Sequence, residues 1–416
     1  MRKTIWLLLA VGALAWAGRE EDDLDDPRPS RGGERAAKKE KSSPLDVEVR
    51  AAAGGGALSG LSVRRDAGAE ALASALVEAR YRQGMFRLMV PLRVSHRQTF
   101  LASLSETRAR LNPELEWRLG NARLGVEGLA AGAYRPRWPD LYQPAGAPGT
   151  YLPTDRYSHL DLGLGGRASF QPLEDHRARI DYGLTYVDYV DDPQFDPGAV
   201  THLTPADHLS NELDLSWRYR GGPLSLVARL DTALRNGFIA PARQALTGNV
   251  APGQRKEALA LAEPAVEVGL DVGERLELAA RYGFEIQADL YQGYYSYTGH
   301  NPRLRARYRP VDQLTLGLES ELWFRTYGPS SYAAGAVHPP LQYGTRLVDN
   351  RYGADLEAGY ALLPGLTVEA RLHWVSRRTN YPNYEPGVFP SFRQYSIVWS
   401  YNNFAVTAGV SYQLHL

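Results

Sequence analysis

LELAARYGFEIQ, residues 276–287, sets Leu276, Leu278, Ala280, Tyr282, Phe284 and Ile286 at every second position, with Glu277, Arg281, Glu285 and Gln287 between them. Successive side chains of a β-strand point to opposite faces, so such a segment has one apolar and one charged face. The pattern recurs along the chain. Leu160, Leu162, Leu164, Ala168 and Phe170 alternate with Asp161, Gly163, Gly165, Arg167 and Ser169. Leu213, Leu215, Trp217 and Tyr219 alternate with Glu212, Asp214, Ser216, Arg218 and Arg220. Leu366, Val368, Ala370, Leu372 and Trp374 alternate with Thr367, Glu369, Arg371 and His373.

A soluble amphipathic sheet alternates in the same way, so the connections decide. Tight links at Gly120-Asn121, Gln171 to Asp175, Gly221-Gly222, Val272 to Glu274, Pro310 to Gln313 and Pro364-Gly365 each join two alternating segments. Between these pairs run long polar and aromatic stretches, near 135–156, 188–208, 236–256, 291–301, 327–350 and 378–392. Strict alternation of short turns and long loops is the asymmetry of a transmembrane antiparallel β-barrel, with short periplasmic turns and long external loops. The fold class is therefore all-β. Counting back from the C-terminus to Ala75 gives about 14 strands, and other divisions of the N-terminal part allow 14 to 18.

The rest of the chain is compatible with export. Arg2 and Lys3, an apolar stretch from Ile5 to Trp16 and the A-x-A site Ala15-Trp16-Ala17 read as a signal peptide over 1–17. Residues 18–73 read as a flexible periplasmic segment: acidic and then basic up to Pro44, and Ala/Gly-rich beyond it, where Leu45, Val47 and Val49 leave a short strand, a plug or more linker open. The barrel is expected over 74–416. Lys+Arg and Asp+Glu are both 47, so no global charge draws the protein to nucleic acid. Cysteine is absent, which excludes disulfides, thiolate metal sites, a Cys nucleophile and a lipoprotein anchor. No cofactor or metal is expected.

The last segment sets Phe404, Val406, Ala408, Val410, Tyr412, Leu414 and Leu416 against Thr407, Gly409, Ser411, Gln413 and His415. Its TAGVSYQL run, 407–414, resembles the closing strand of bacterial outer-membrane proteins, a polar residue followed by Gly, an aromatic and an apolar residue. That family usually ends in Phe or Trp, whereas this chain continues through His415 to Leu416. The resemblance implies a place in the bacterial outer membrane, with its lipid and the barrel-assembly machinery as partners. Thr407, Gly409, Tyr412, Leu414 and Leu416 would form the assembly signal.

If the apolar faces meet lipid, the charged faces line the interior, because Arg or Lys at the bilayer midplane of such a barrel costs about 2–4 kcal/mol. Arg303, Arg305, Arg307 and Arg309 then form a basic ladder on one wall, with Glu319 and Glu321 across the tight turn and Asp355 and Glu357 one strand further on. Two readings follow: salt bridges that stiffen the wall, since unpaired charges in a confined lumen are expensive, or a constriction that attracts anions. Tyr291, Tyr294, Tyr295 and Tyr297 cluster in one long connection, and Tyr381, Tyr384 and Phe389 in another, as part of an interfacial aromatic girdle or as a surface on which sugars stack. His202, Asp207 and His208 share a loop but fit solvated polar groups better than a proton-transfer site, and no G-x-S-x-G or H-E-x-x-H motif occurs. An enzyme is not expected. The leading expectation is passage of solute or polymer across the outer membrane. The Ala/Arg/Gly-rich composition, Tyr-rich loops and acidic-then-basic tail resemble the barrel components of polysaccharide export systems in predatory and gliding bacteria, which implies a periplasmic export partner. A general or anion-selective nutrient porin and a non-conducting scaffold or adhesin are the rivals.

Overall fold

The structure, a computed structural model, describes residues 45–59, 68–99, 104–135, 138–144, 151–154, 158–189, 207–241, 256–291, 296–327, 348–379 and 401–415. Its strands are β1 (Leu45–Ser59), β2 (Gly68–Gln83), β3 (Phe86–Thr99), β4 (Leu104–Leu111), β5 (Glu114–Leu119), β6 (Ala122–Tyr134), β7 (Trp138–Pro144), β8 (Tyr151–Thr154), β9 (His159–Leu173) and β10 (His176–Tyr189). There follow β11 (His208–Gly221), β12 (Leu224–Pro241), β13 (Lys256–Val272), β14 (Leu276–Asp289), β15 (Tyr297–Val311), β16 (Leu314–Tyr327), β17 (Val348–Leu363), β18 (Leu366–Thr379) and β19 (Tyr401–His415).

Each stave of the main sheet pairs antiparallel with its neighbours, and β1 pairs with both β2 and β19, which closes the sheet on itself. The sheet contains 17 strands, but β4 and β5 both pair with β3 on one side and β6 on the other. They are the two halves of one stave broken at Asn112-Pro113, where proline has no N–H for the ladder. The barrel therefore has 16 staves, within the range read from the sequence. β7 and β8 form a separate hairpin in the connection between β6 and β9.

One end of the barrel carries the tight turns. Gly84, Gly120, Gly222, Gly273 and Gly365 sit there with φ of 58°, 62°, 57°, 65° and 80°, a backbone region that glycine enters without a Cβ clash. The strand ends that flank the long connections lie at the other end. Leu45, paired with Tyr81, enters the wall from the glycine-turn end.

The sequence reading differs from the structure at the N-terminal side. Residues 45–59 and 68–73, assigned to a flexible periplasmic segment, are β1 and the start of β2, so the barrel begins at Leu45 and not near 74. In the stretch AAAGGGA, 51–57, both faces carry only small side chains, so the alternation that marks the other staves is not visible.

Candidate functional site

Polarity across the wall is inverted relative to a soluble protein. The buried hydrophobic residues among those described are Ala109, Ala131, Ala133, Ala265 and Tyr297, while Leu164 (75%), Leu304 (61%) and Leu356 (48%) project outward with much of their surface exposed. In β19, Phe404, Val406, Val410, Tyr412 and Leu414 are exposed and the residues between them are partly covered. Near the glycine turns the outer face carries Tyr81, Phe86, Phe170, Trp217, Tyr308, Tyr360 and Tyr412. Towards the opposite end it carries Tyr134 and the edge-to-face pairs Phe324–Tyr352 and Tyr186–Phe238, with ring centroids 6.0 and 5.6 Å apart. An apolar band between two aromatic girdles suits a wall whose solvent is hydrocarbon with a headgroup region on each side.

The inner face holds the charges. Arg167 on β9 reaches three carboxylates, Glu114 at 2.8 Å, Glu127 at 3.6 Å and Asp181 at 2.6 Å. Glu114 lies on β5, so Arg167 reaches past the intervening β6. Gly125 stands opposite Arg167 on β6, and a Cβ there would lie 3.6 Å from the Cβ of Arg167 and 3.7 Å from Glu114 Oε1. The same device recurs where Arg325 on β16 reaches Glu285 on β14 with two hydrogen bonds of 3.0 Å, beside Gly299 on β15. A Cβ on Gly299 would come within 3.2 Å of Arg325 Cγ. Tyr297 donates to Glu285 at 2.7 Å, and the Arg325 guanidinium lies 4.8 Å from the Tyr297 ring and 4.3 Å from Trp323. Arg377 makes a bidentate contact with Asp349, at 2.7 and 2.6 Å. At the closing seam Glu48 accepts from Gln413 of β19 at 2.9 Å and pairs with Arg80 of β2 at 3.4 Å, so one carboxylate joins three staves.

Arg303, Arg305, Arg307 and Arg309 of β15 lie on the inner face of the sheet, and most of them are paired. Arg303 meets Glu321 at 2.8 Å, Arg305 reaches back to Glu267 on β13 at 3.4 Å, and Arg309 lies 4.0 Å from Glu277. Glu319 stands opposite Arg305 and Asp355 opposite Glu319, all on the lumenal face. Asp355 is taken by Arg371 and His373 of β18, each at 2.8 Å, and Glu357 by Arg371 at 3.3 Å. No ion pair joins Arg307 to a carboxylate among the described residues.

The Tyr cluster divides. Tyr297 belongs to β15 and points into the lumen, so it is neither a loop residue nor part of a girdle. Tyr291 lies just beyond β14 and donates its backbone N–H to Asp289. Tyr294, Tyr295, Tyr381, Tyr384 and Phe389 lie outside the described residues, as do His202 and Leu416. Asp207 is fully buried and accepts the Tyr189 N–H at 2.8 Å, a structural tie at the end of β10. In the proposed assembly signal Thr407 and Gly409 face the lumen and Tyr412 and Leu414 face outward. Among the described residues no group of three or more His, Asp or Glu could hold a metal ion, and no helix is long and apolar enough to cross a membrane.

The chain is a closed antiparallel β-barrel of 16 staves with an apolar outer face and a charged inner face. Comparison of the sequence with protein families and with curated proteins gave no match. The fold is similar to outer-membrane-expressed OmpT of Vibrio cholerae, with 12% identity over 90% of this chain and 99% of that one at a TM-score of 0.48. It is also similar to OccK2 of Pseudomonas aeruginosa (12% identity, 89% and 98% covered, TM-score 0.41) and to CdiB from Acinetobacter baumannii (10% identity, 89% and 60% covered, TM-score 0.43). At such identity the likeness concerns the fold alone. One expectation is corrected: a fold hosts more than one class of activity, so the exclusion of an enzyme drawn from the sequence is withdrawn.

Proposed function

We propose that the barrel is an aqueous channel that passes small charged or polar solutes across the outer membrane. Sixteen staves spaced about 4.8 Å apart and tilted by about 40° enclose a backbone-to-backbone width of about 30 Å. Barrels of this size leave an aqueous passage. The observation that carries the reading is the direction of charge pairing. Each ion pair named above joins one stave to itself, to its neighbour or to the next but one, as with Arg167–Glu114, Arg325–Glu285 and Arg305–Glu267, and none of these crosses the lumen. The charges therefore neutralise one another along the wall while the passage stays polar.

Purified, heat-modifiable protein placed in a planar bilayer is expected to give steady, ohmic current, and proteoliposomes containing it are expected to swell in small sugars and salts but not in oligomers too large for the lumen. Folded protein that carries no current and admits no solute would remove the channel reading and leave a scaffold or adhesin. Polymer export, suggested by compositional resemblance, is favoured over small solutes by no particular residue among those described.

A further inference from the structure

Lateral pairing fails on one sector of the wall. Arg82 on β2 stands directly opposite Arg87 on β3, and Arg118 on β5 directly opposite Arg123 on β6. Arg87 is opposite Glu116, which places Arg118, two residues further along β5, diagonally across from it. One arginine from each of four consecutive staves thus gathers beside the turns at Gly84 and Gly120. All four face the lumen, since Tyr81, Phe86, Leu119 and Leu124 beside them are exposed on the outer face. Like charges directly opposed across an antiparallel ladder destabilise it, so this sector gains from any anion that settles on it.

The carboxylates nearby are committed. Glu116 lies 3.3 Å from Arg118. One level further in, Glu114 and Glu127 are held by Arg167, and Glu78 and Glu48 by Arg80. Arg87 donates to the Met89 sulfur at 3.8 Å, and among the described residues no ion pair joins Arg82, Arg87 or Arg123 to a carboxylate. Four guanidinium groups therefore share one carboxylate. Directly opposed residues have Cβ atoms about 5 Å apart and diagonal ones about 7–8 Å, within which long side chains from both pairs converge on one compact anion. A guanidinium presents its N–H donors as a planar fork that fits phosphate oxygens two at a time. A Cβ on Gly84 or Gly120 would meet nothing within 4 Å, so the turns leave the approach from the mouth clear.

We propose that Arg82, Arg87, Arg118 and Arg123 form an oxyanion-binding station at the glycine-turn mouth, suited to the phosphate group of a small solute. A doubly charged tetrahedral oxyanion relieves the repulsion within both pairs and fills their forks, whereas a halide meets the charge without matching the donors. The station deepens the channel reading and rests on it for the access of solute to the inner face. Binding is read without current, so the two fail separately.

Equilibrium dialysis of radiolabelled inorganic phosphate against the full-length, folded protein in a neutral detergent is expected to show saturable uptake, displaced by sulfate and not by chloride at the same ionic strength. Arg82→Gln with Arg123→Gln takes one arginine from each pair and removes repulsion, so heat-modifiable barrel is retained while phosphate binding weakens about tenfold or more. Arg93→Gln with Lys256→Gln removes the same charge elsewhere: Arg93 lies six residues along β3 from Arg87, about 20 Å away, and Lys256 begins β13 at the other end of the barrel. That variant is expected to bind phosphate within about twofold of the parent. Absence of saturable uptake, or equal weakening in the two double variants, would overturn the station. Uptake that vanishes when the barrel is moved from detergent into anionic phospholipid nanodiscs would also overturn it, by assigning the four arginines to lipid headgroups.

Discussion

Glu285 is where the wall has most to lose from a single change. Its side chain is 5% exposed and that of its partner Arg325 14% exposed, and the two share a bidentate contact two staves apart. In Glu285→Gln the guanidinium loses its counter-charge, while Tyr297 keeps a neutral acceptor for its hydroxyl. Removing one member of a buried pair costs about 3–5 kcal/mol. Two effects reduce that figure: the cation keeps its positions over Trp323 and Tyr297, worth about 1 kcal/mol, and a lumenal guanidinium can recruit water. A net loss of about 3 kcal/mol is expected from these terms. Equilibrium unfolding in urea, with the barrel in lipid vesicles and tryptophan emission as the signal, measures it. The double variant Glu285→Gln with Arg325→Gln should recover part of the loss, because no buried charge is then stranded, giving a coupling of about 1.5 kcal/mol or more. A single-variant loss under about 1 kcal/mol, or additive effects in the double variant, would mean that the pair is screened by lumenal water. The argument for lateral pairing would then lose its best-buried example.

Arg307→Glu should move the reversal potential towards cations in a salt gradient, whereas Arg303→Gln should chiefly lower stability, because Arg303 is tied to Glu321. An unchanged reversal potential for Arg307→Glu would take that side chain out of the ion path. At the closing seam a Cβ on Gly54 would lie 2.5 Å from the carbonyl oxygen of Ala408. Gly54→Val is therefore expected to abolish most heat-modifiable barrel, while Ala53→Val, on the exposed face of the same strand, is tolerated; equal assembly of the two would show that the seam opens without cost. Deleting 412–416 removes the outward Tyr412 and Leu414 and should leave unassembled chain in the periplasm, which protease sensitivity of intact and lysed cells would report.

How much of this was legible depended on contrast between the two faces of a strand. Strands such as β14 and β19 declare themselves because Leu, Tyr and Phe alternate with Glu, Arg and Gln. The tight turns are equally plain, because glycine at positive φ leaves a mark in the sequence. β1 was invisible where Ala and Gly occupy both faces, and the stave β4–β5 is broken at Asn112-Pro113 with pairing resuming at Glu114. The alternation puts the charges on one face of each strand, and Arg303 meets Glu321 across the turn, but the other partners were not legible. A ladder on β15 suggested pairing with β16, yet Arg305 turns to β13 and Asp355 turns to β18. Register alone permits both choices, and only the positions of neighbouring side chains select between them.

The feature that sequence reading missed altogether is the use of glycine as a gap. Gly125 and Gly299 read as weak points in a strand, but each stands between an arginine and a carboxylate two staves apart. The width of the barrel explains why this matters. An arginine and a glutamate facing each other span roughly 10 Å between their backbones, a third of a lumen about 30 Å wide, so charges on opposite walls cannot neutralise one another. Pairing has to run around the circumference, and a bulky side chain on the intervening stave would obstruct it. Where glycine leaves the gap, the pairs form hoops that brace the wall without obstructing the axis. At the glycine-turn rim Arg82, Arg118 and Arg177 face arginines across the ladder, and Arg118 is paired instead with Glu116 of its own stave.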